Sequence, residues 1–351
     1  MPGPDQEQAQ GDPVNGGPCA LDRTFWGTRE MKNAEIEKVV QTGVLTADAG
    51  RRMLLRGMLG LGGALALGAC GTPTVGTSGT RLTGGRFSAR WLGGGIVELA
   101  TPDYKQIAFA DAWIWNNSGW TRFGVQKPAE YATKEGFAQY VAGKRPEAVF
   151  VLLTHDHGDH IGDYFEMLQV LSAAGVPVMT TGQSDLMRKG LVADFKKAGL
   201  DPAKIVSNGG AGMNFGGITK HGAMTVRLVP AVHSNLAGFP SAGFMLDIGG
   251  ARVYISGDTD VFGDLQHLGE RYQPNVAIVT IGNGPFTQGP QEAALACKLL
   301  GVSHAIPVHY AHNALVRGVE AGEEFSRALA QIAPGIQAIV MKPGETRMFQ
   351  L

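Results

Sequence analysis

The stretch Ala148-Val149-Phe150-Val151-Leu152-Leu153-Thr154-His155-Asp156-His157-Gly158-Asp159-His160 passes from an unbroken apolar run into three histidines and two aspartates within six residues. The apolar run reads as a buried strand, and the amphipathic segment Ile161 to Leu171 beyond it reads as the start of a helix. Three of the chain's nine histidines therefore stand at a strand-to-helix junction. In an extended or turning segment His155 and His157 point the same way and can reach one cation, while Asp159 and His160, one turn later, suit a second cation close by. Gly158 has no Cβ and lets the backbone turn between the two pairs. A polar surface loop that happens to contain histidines is the competing reading, and the preceding apolar strand argues against it.

The chain around this loop is 351 residues long, 44% hydrophobic and 17% charged, enough to build a sizeable core. Residues 1–70 hold seven Lys/Arg and eight Asp/Glu, and the remainder is balanced at 23 of each. A neutral body offers no broad cationic face, so a nucleic-acid partner is not expected. The 51 glycines suit a layered α/β protein with many tight turns. Three cysteines, Cys19, Cys70 and Cys297, make no disulfide framework, and Cys297 reads as a small core residue on a helix.

Residues 1–30 are rich in Gly, Pro, Gln and Asp and read as disordered. Arg51-Arg52 precede the short apolar stretch Gly57 to Ala69, and Leu67-Gly68-Ala69-Cys70 closes it. The arginine pair resembles a twin-arginine export signal, and the closing residues resemble a lipobox, which would place a lipid anchor on Cys70. The alternative is a buried helix of the catalytic domain, with a cytoplasmic location. The length ahead of the arginines also leaves Met31 open as a translation start. Residues 1–70 are thus read as disordered N-terminus plus signal, 71–85 as a Gly/Thr/Ser tether, and 86–351 as the catalytic domain.

Beyond the tether, strands are expected at Phe87 to Leu92, Ile96 to Leu99, Gln106 to Ala110, Ala148 to Leu153, Val176 to Met179, Met224 to Val229, Ala242 to Ile248, Arg252 to Ser256, Val276 to Ile281, Ala305 to Val308 and Gln337 to Met341. Gly249-Gly250 reads as a hairpin turn. Helices are expected at Ile161 to Ala173, Ser184 to Ala198, Pro290 to Leu300 and Glu320 to Gln331.

Further donors follow later strands. Leu228 to Ser234 ends in His233, Val253 to Asp260 carries Asp258, and Ala305 to Tyr310 carries His309. Each alone is a weak signal; the ordered set is not. The order of motifs, including "THDHGDH", "YISGDTDVFGDL", "FTQGPQEAALACKLL", "IPVHY" and "MKPGE", resembles the metallo-β-lactamase-fold hydrolases. It is most similar to the bacterial metal-dependent hydrolase branch related to ascorbate-phosphate lactonase. The resemblance implies an α/β, four-layer αββα sandwich with metals at one sheet edge. It implies that His155, His157 and His233 bind one metal, that Asp159, His160 and His309 bind the other, that Asp258 bridges, and that Asp111 supports the site from behind. Two positions depart from the branch: Gly94 replaces a histidine common in the first strand turn, and the loop Gly282 to Gly289 differs from the usual glycine-arginine form.

The expected chemistry is hydrolysis of an ester, lactone, amide or phosphodiester in a small or lipid-derived substrate. Two divalent ions about 4 Å apart, zinc first with Mn²⁺ or Fe²⁺ as alternatives, share a water and lower its pKa from 15.7 towards about 7. Asp159 is the candidate proton relay, and His312, Tyr310, Asn283 and Thr287 are candidates for holding an oxyanion or substrate group, with packing as the alternative for each. His221, His267 and His304 read as ordinary histidines. Trp113, Trp115 and Trp120 read as a loop over the site mouth or, as the alternative, an apolar substrate wall. An exported lipoprotein that binds metal or ligand without turnover is the alternative function. The sequence leaves the oligomeric state open.

Overall fold

The computed structural model describes residues 81–351. The segment 1–30 expected to be disordered, the twin-arginine and lipobox pattern and Cys70 lie outside the described residues. Leu82 to Gly85, the end of the expected tether, are already tied to the domain. The Leu82 carbonyl accepts from Asn275 Nδ2 at 2.9 Å, and the Gly85 carbonyl accepts from Leu351 N at 2.9 Å.

Two sheets face each other. One is ordered β13-β1-β2-β3-β4-β5, with β1 Arg86–Trp91, β2 Val97–Ala100, β3 Gln106–Ala110, β4 Ala148–Leu152, β5 Val178–Thr181 and β13 Thr346–Gln350. The other is ordered β12-β11-β10-β9-β8-β7-β6, with β6 Ile218–His221, β7 Met224–Pro230, β8 Ala242–Ile248, β9 Ala251–Ile255, β10 Val276–Thr280, β11 His304–Val308 and β12 Gln337–Ala338.

The period of two along β4 explains how the first sheet is covered on both faces. Ala148, Phe150 and Leu152 join the core shared with the second sheet, whereas Val149, Val151 and Leu153 join a second core. That second core contains Phe137 and Val141 of the helix Lys134–Gly143, and Met167, Leu168 and Leu171 of the helix Tyr164–Ala173. The second sheet is backed by Pro290–Leu300 and Ala321–Ile332, whose Cys297, Phe325 and Leu329 are fully buried and continuous with the core of that sheet. The result is the expected αββα sandwich. No helix among the described residues is long and apolar enough to cross a membrane.

Several expected elements are displaced or broken. The helix from Ile161 to Ala173 is two pieces, Gly158–Ile161 and Tyr164–Ala173. Between them Asp163 takes a non-helical conformation, its N–H donating to the Ala112 carbonyl and its buried carboxylate accepting from the N–H groups of Ile114 and Trp115 at 2.5 and 2.7 Å. The helix from Ser184 to Ala198 is a π-turn at Leu186–Gly190 followed by Val192–Lys197. The strand expected at Val176 to Met179 begins at Val178, after Pro177, which has no N–H for the ladder. The strand from Gln337 to Met341 is only Gln337–Ala338. The helices Lys134–Gly143 and Leu265–Tyr272 and the edge strands β6 and β13 were not expected.

The parallel pairs β3–β4, β9–β10 and β10–β11 bring their C-terminal ends to one side of the sandwich. Every expected metal ligand lies just past such an end or in the loop after β7. The two sheets meet there directly, Ala242 N donating to the Thr154 carbonyl at 3.1 Å.

Candidate metal centre

Strand β4 delivers Thr154, His155 and His157; β7 leads to His233, β9 to Asp258 and β11 to His309. Asp111 and His309 follow their strands directly and take left-handed backbone angles, φ +58° and +62°, so the chain turns sharply as each side chain enters the site. His309 is held in that conformation by its N–H, which donates to the Gly94 carbonyl at 2.8 Å. Gly257 is required beside Asp258. A Cβ there would stand 2.7 Å from the Ala242 carbonyl oxygen and 2.9 Å from Thr154 Cβ. Asp156 supports the loop of His233, its carboxylate accepting from Leu236 N and Ala237 N at 2.6 and 2.8 Å.

The donors converge in two groups. His157 Nδ1 lies 3.1 Å from His155 Nε2 and 3.2 Å from His233 Nε2. Tetrahedral zinc with Zn–N bonds of about 2.05 Å places its nitrogens about 3.3 Å apart, so this triangle has the size such an ion needs. In the second group His160 Nε2 and His309 Nε2 are 3.1 Å apart, and Asp159 Oδ2 is 3.3 Å from His309 Nε2. The fully buried Asp258 stands between them. Its Oδ1 is 3.4 Å from His160 Nε2, and its Oδ2 is 3.3 Å from His309 Nε2 and 3.7 Å from His233 Nε2.

Hydrogen bonding orients the imidazoles for this use. The Asp111 carboxylate accepts from Thr154 N at 2.8 Å, Thr154 Oγ1 at 2.8 Å and His160 Nδ1 at 2.7 Å. The single Thr154 hydroxyl proton is thereby committed, so the hydroxyl accepts from His155 Nδ1 at 2.9 Å. His155 therefore turns a lone pair on Nε2 toward the donor group, and His160, its Nδ1–H committed to Asp111, directs Nε2 there.

Burial, followed by the neighbouring His160, pushes the His155 imidazole well below its ordinary range, and burial does the same to His233. Both stay neutral. Burial also opposes charge on His160, yet the Asp258 and Asp111 carboxylates outweigh it and raise that imidazole. A proton on His160 Nε2 thus answers the negative charge of Asp258, and a cation there does the same while releasing that proton. Burial would raise the Asp159 and Asp258 carboxyls, but the surrounding histidines overcome it and hold both well below the usual carboxylate range. Neutral imidazoles and ionised carboxylates are the forms that ligate divalent metals, and the residues fit them.

The other expected residues divide. His312 is fully buried at the site, its Nε2 donating to Asp159 Oδ2 at 3.2 Å. Burial and then His309 bring it down to about 4, so it is neutral at pH 7. Tyr310 is not brought to the site. Left-handed angles at His309 and Ala311 turn it the other way, and its ring stacks on Trp91 with centroids 5.0 Å apart. Asn283 and Thr287 line a neighbouring depression rather than the donor cavity. Of the three tryptophans only Trp113 reaches the cavity; Trp115 packs on Phe137, and Trp120 is buried against Tyr131. His221, His267 and His304 stand apart: His221 bonds the Pro177 carbonyl, His304 bonds Ser303, and exposed His267 lies 3.6 Å from Glu270. Sequence reasoning missed Asp156, Asp163, Ser118, Phe286 and Leu315. The first two were visible only as acidic residues inside otherwise explained segments, Phe286 only as the first residue of the FTQGPQ motif, and Ser118 and Leu315 carry no motif.

The family model described as Beta-lactamase superfamily domain matches residues 119–310, just over half the chain. A UPF0173 metal-dependent hydrolase of Pyrobaculum arsenaticum is 35% identical over 257 residues, covering 73% of this chain and 97% of that protein. Another from Caldivirga maquilingensis is 33% identical over 204 residues, covering 58% and 81%. Among solved structures, Igni18, a metallo hydrolase of Ignicoccus hospitalis, is 25% identical with a TM-score of 0.58, covering 76% of this chain and 99% of that one.

Proposed function

The chain belongs to the β-lactamase superfamily, among the UPF0173 metal-dependent hydrolases, and from that premise we propose a binuclear enzyme that cleaves an ester, lactone, amide or phosphodiester bond in a small or lipid-derived molecule. The observation that carries the binuclear reading is the Asp258 carboxylate, buried between the two donor groups with its oxygens facing histidines of both. Histidine-rich donor sets favour Zn²⁺, with Fe²⁺ or Mn²⁺ as alternatives. Divalent ions bound there supply the acidity that makes water a nucleophile at neutral pH and polarise the group under attack.

The chain's own residues do the rest. His155, His157 and His233 hold one ion; Asp159, His160 and His309 hold the other, and Asp258 faces both. Asp159 is partly exposed and lines the cavity, so the carboxylate oxygen that His309 and His312 leave free is the candidate to take the proton of the attacking water and return it to the leaving group. Neutral His312 positions that carboxylate through its Nε2–H. The likeness to the ascorbate-phosphate lactonase branch supports keeping lactones among the substrates.

The test is a panel of carboxylic esters, lactones, amides and phosphodiesters offered to the Zn²⁺-, Mn²⁺- and Fe²⁺-loaded enzyme beside the His155→Ala/His157→Ala variant. Turnover by the wild type that the variant loses supports the reading. Equal rates in both, or no hydrolysis of any class, would overturn it. Arg51-Arg52 and Leu67 to Cys70 support export and acylation as the location. Mass spectrometry of the mature N-terminus decides that point, and an unmodified chain beginning at Met1 or Met31 would contradict it.

A further inference from the structure

The donor groups open into a cavity of about 560 Å³. Its walls are unlike its floor. Trp113, Phe286 and Leu315 form the apolar sides, Ser118 and Asn313 add neutral polar groups, and no lysine or arginine lines it among the described residues.

Trp113 is a built wall. Its indole lies against two glycines: a Cβ on Gly162 would stand 2.7 Å from Trp113 Cδ1, and one on Gly94 would stand 3.5 Å from the ring. The Trp113 loop is fixed from below by the Asp163 carboxylate through Ile114 N and Trp115 N. The opposite side is formed by two loops bound to each other, Arg317 N donating to the Gly282 carbonyl at 2.8 Å. These carry Phe286 and Leu315 with their side chains substantially exposed. Of ten large hydrophobic side chains exposed in the described residues, Val232, Leu236, Phe286 and Leu315 sit on the three loops that frame this one cavity. Apolar surface gathered at a polar floor is surface that a ligand covers.

From this arrangement, and resting on the hydrolytic reading above, we infer that the substrate carries a neutral alkyl or aryl group beside the scissile bond and no second anionic group. The positive charge available in the cavity is that of ions at the scissile bond. A phosphate or carboxylate elsewhere on the substrate would lose its water against Trp113, Phe286 and Leu315 with no cation to answer it. A sugar phosphate is therefore disfavoured, and an acyl or aryl ester, lactone or amide is favoured.

The experiment measures kcat/KM for 4-nitrophenyl esters from acetate to hexanoate, together with the 6-phosphonohexanoate ester. The expected result is a gain of about three- to fourfold for each added methylene, with the phosphono ester at least tenfold below hexanoate. F286A/L315A reduces the increment to under about 1.5-fold per methylene; both side chains are exposed, so the fold is kept. A flat series, or preference for the phosphono ester, overturns the inference while leaving hydrolysis established. If no ester of the series is turned over, the wider panel above decides the hydrolytic reading. The inference is then judged by calorimetric titration with hexanamide and 6-phosphonohexanamide, where tighter binding of hexanamide supports it and the reverse order overturns it.

Discussion

Asp111→Asn removes one charge and no volume, and the structure states what should follow. Asp111 Oδ1 accepts from Thr154 N at 2.8 Å, and Oδ2 accepts from His160 Nδ1 at 2.7 Å. An asparagine can keep only one of these. With its oxygen toward Thr154 N, its amide donates toward His160 Nδ1, and the ring must move its proton to Nε2, the atom that faces His309 and Asp258. The flipped amide is worse, because it sets two N–H groups against each other at a buried backbone position. The loss is one buried hydrogen bond to a charged group, about 1.5–3 kcal/mol, and the wrong tautomer at a ligand. Together these predict a 10- to 100-fold fall in affinity for the ion held by His160. His233 and His157 make no bond to Asp111, so the first donor group should weaken less. The assay is competitive metal titration against a chromophoric chelator, with circular dichroism to confirm the fold. A folded Asp111→Asn protein that binds both equivalents with wild-type affinity would refute the reasoning.

Gly95→Ala places a Cβ 2.9 Å from His160 Cε1, at a backbone position without a left-handed φ, so the variant should fold yet lose at least about tenfold in metal affinity; unchanged affinity would count against the geometry. Glu98 is buried and accepts from Tyr131 Oη at 2.5 Å and Tyr140 Oη at 3.0 Å. Burial raises its carboxyl above the ordinary value despite those bonds, so its stabilising contribution is full below that value and is lost as pH rises through the folded one. Glu98→Gln should therefore lose about 1 kcal/mol from one unmade tyrosine bond while gaining on wild type with rising pH. Urea unfolding of chelator-treated protein between pH 4 and 8 checks this, and a difference independent of pH would contradict it. Phe150→Ala, at a fully buried side chain between the sheets, should cost about 3–5 kcal/mol in the same assay.

The clustered donor residues were legible because most of them follow an apolar strand, and a strand end is visible in the chain as the point where Val, Ile and Leu stop. His155, His157, His233, Asp258 and His309 all sit at such points, and parallel pairing brings the points together. Tyr310 shows where that reading fails. It neighbours His309 in sequence, but two left-handed residues around it reverse its direction, and side-chain direction after a strand end is not written in residue type. The long helix expected from Ile161 to Ala173 failed for a related reason: Asp163 serves the backbone of a loop 48 residues earlier, a contact with no local signature. Edge strand β13 was missed because only Phe349 of its five residues is buried, which leaves almost no alternation to read. Of the cavity walls Trp113 was visible as one of a cluster of tryptophans, whereas Phe286 and Leu315 were not, since they are exposed side chains on irregular loops.

The central claim is that two cations share Asp258. Elemental analysis of the purified protein after equilibration with Zn²⁺ and removal of free metal tests it most directly. The account predicts two equivalents per chain in the wild type, and none or nearly none in His155→Ala/His157→Ala/Asp258→Asn. One equivalent or fewer in a folded wild type, or full loading of the triple variant, would contradict it.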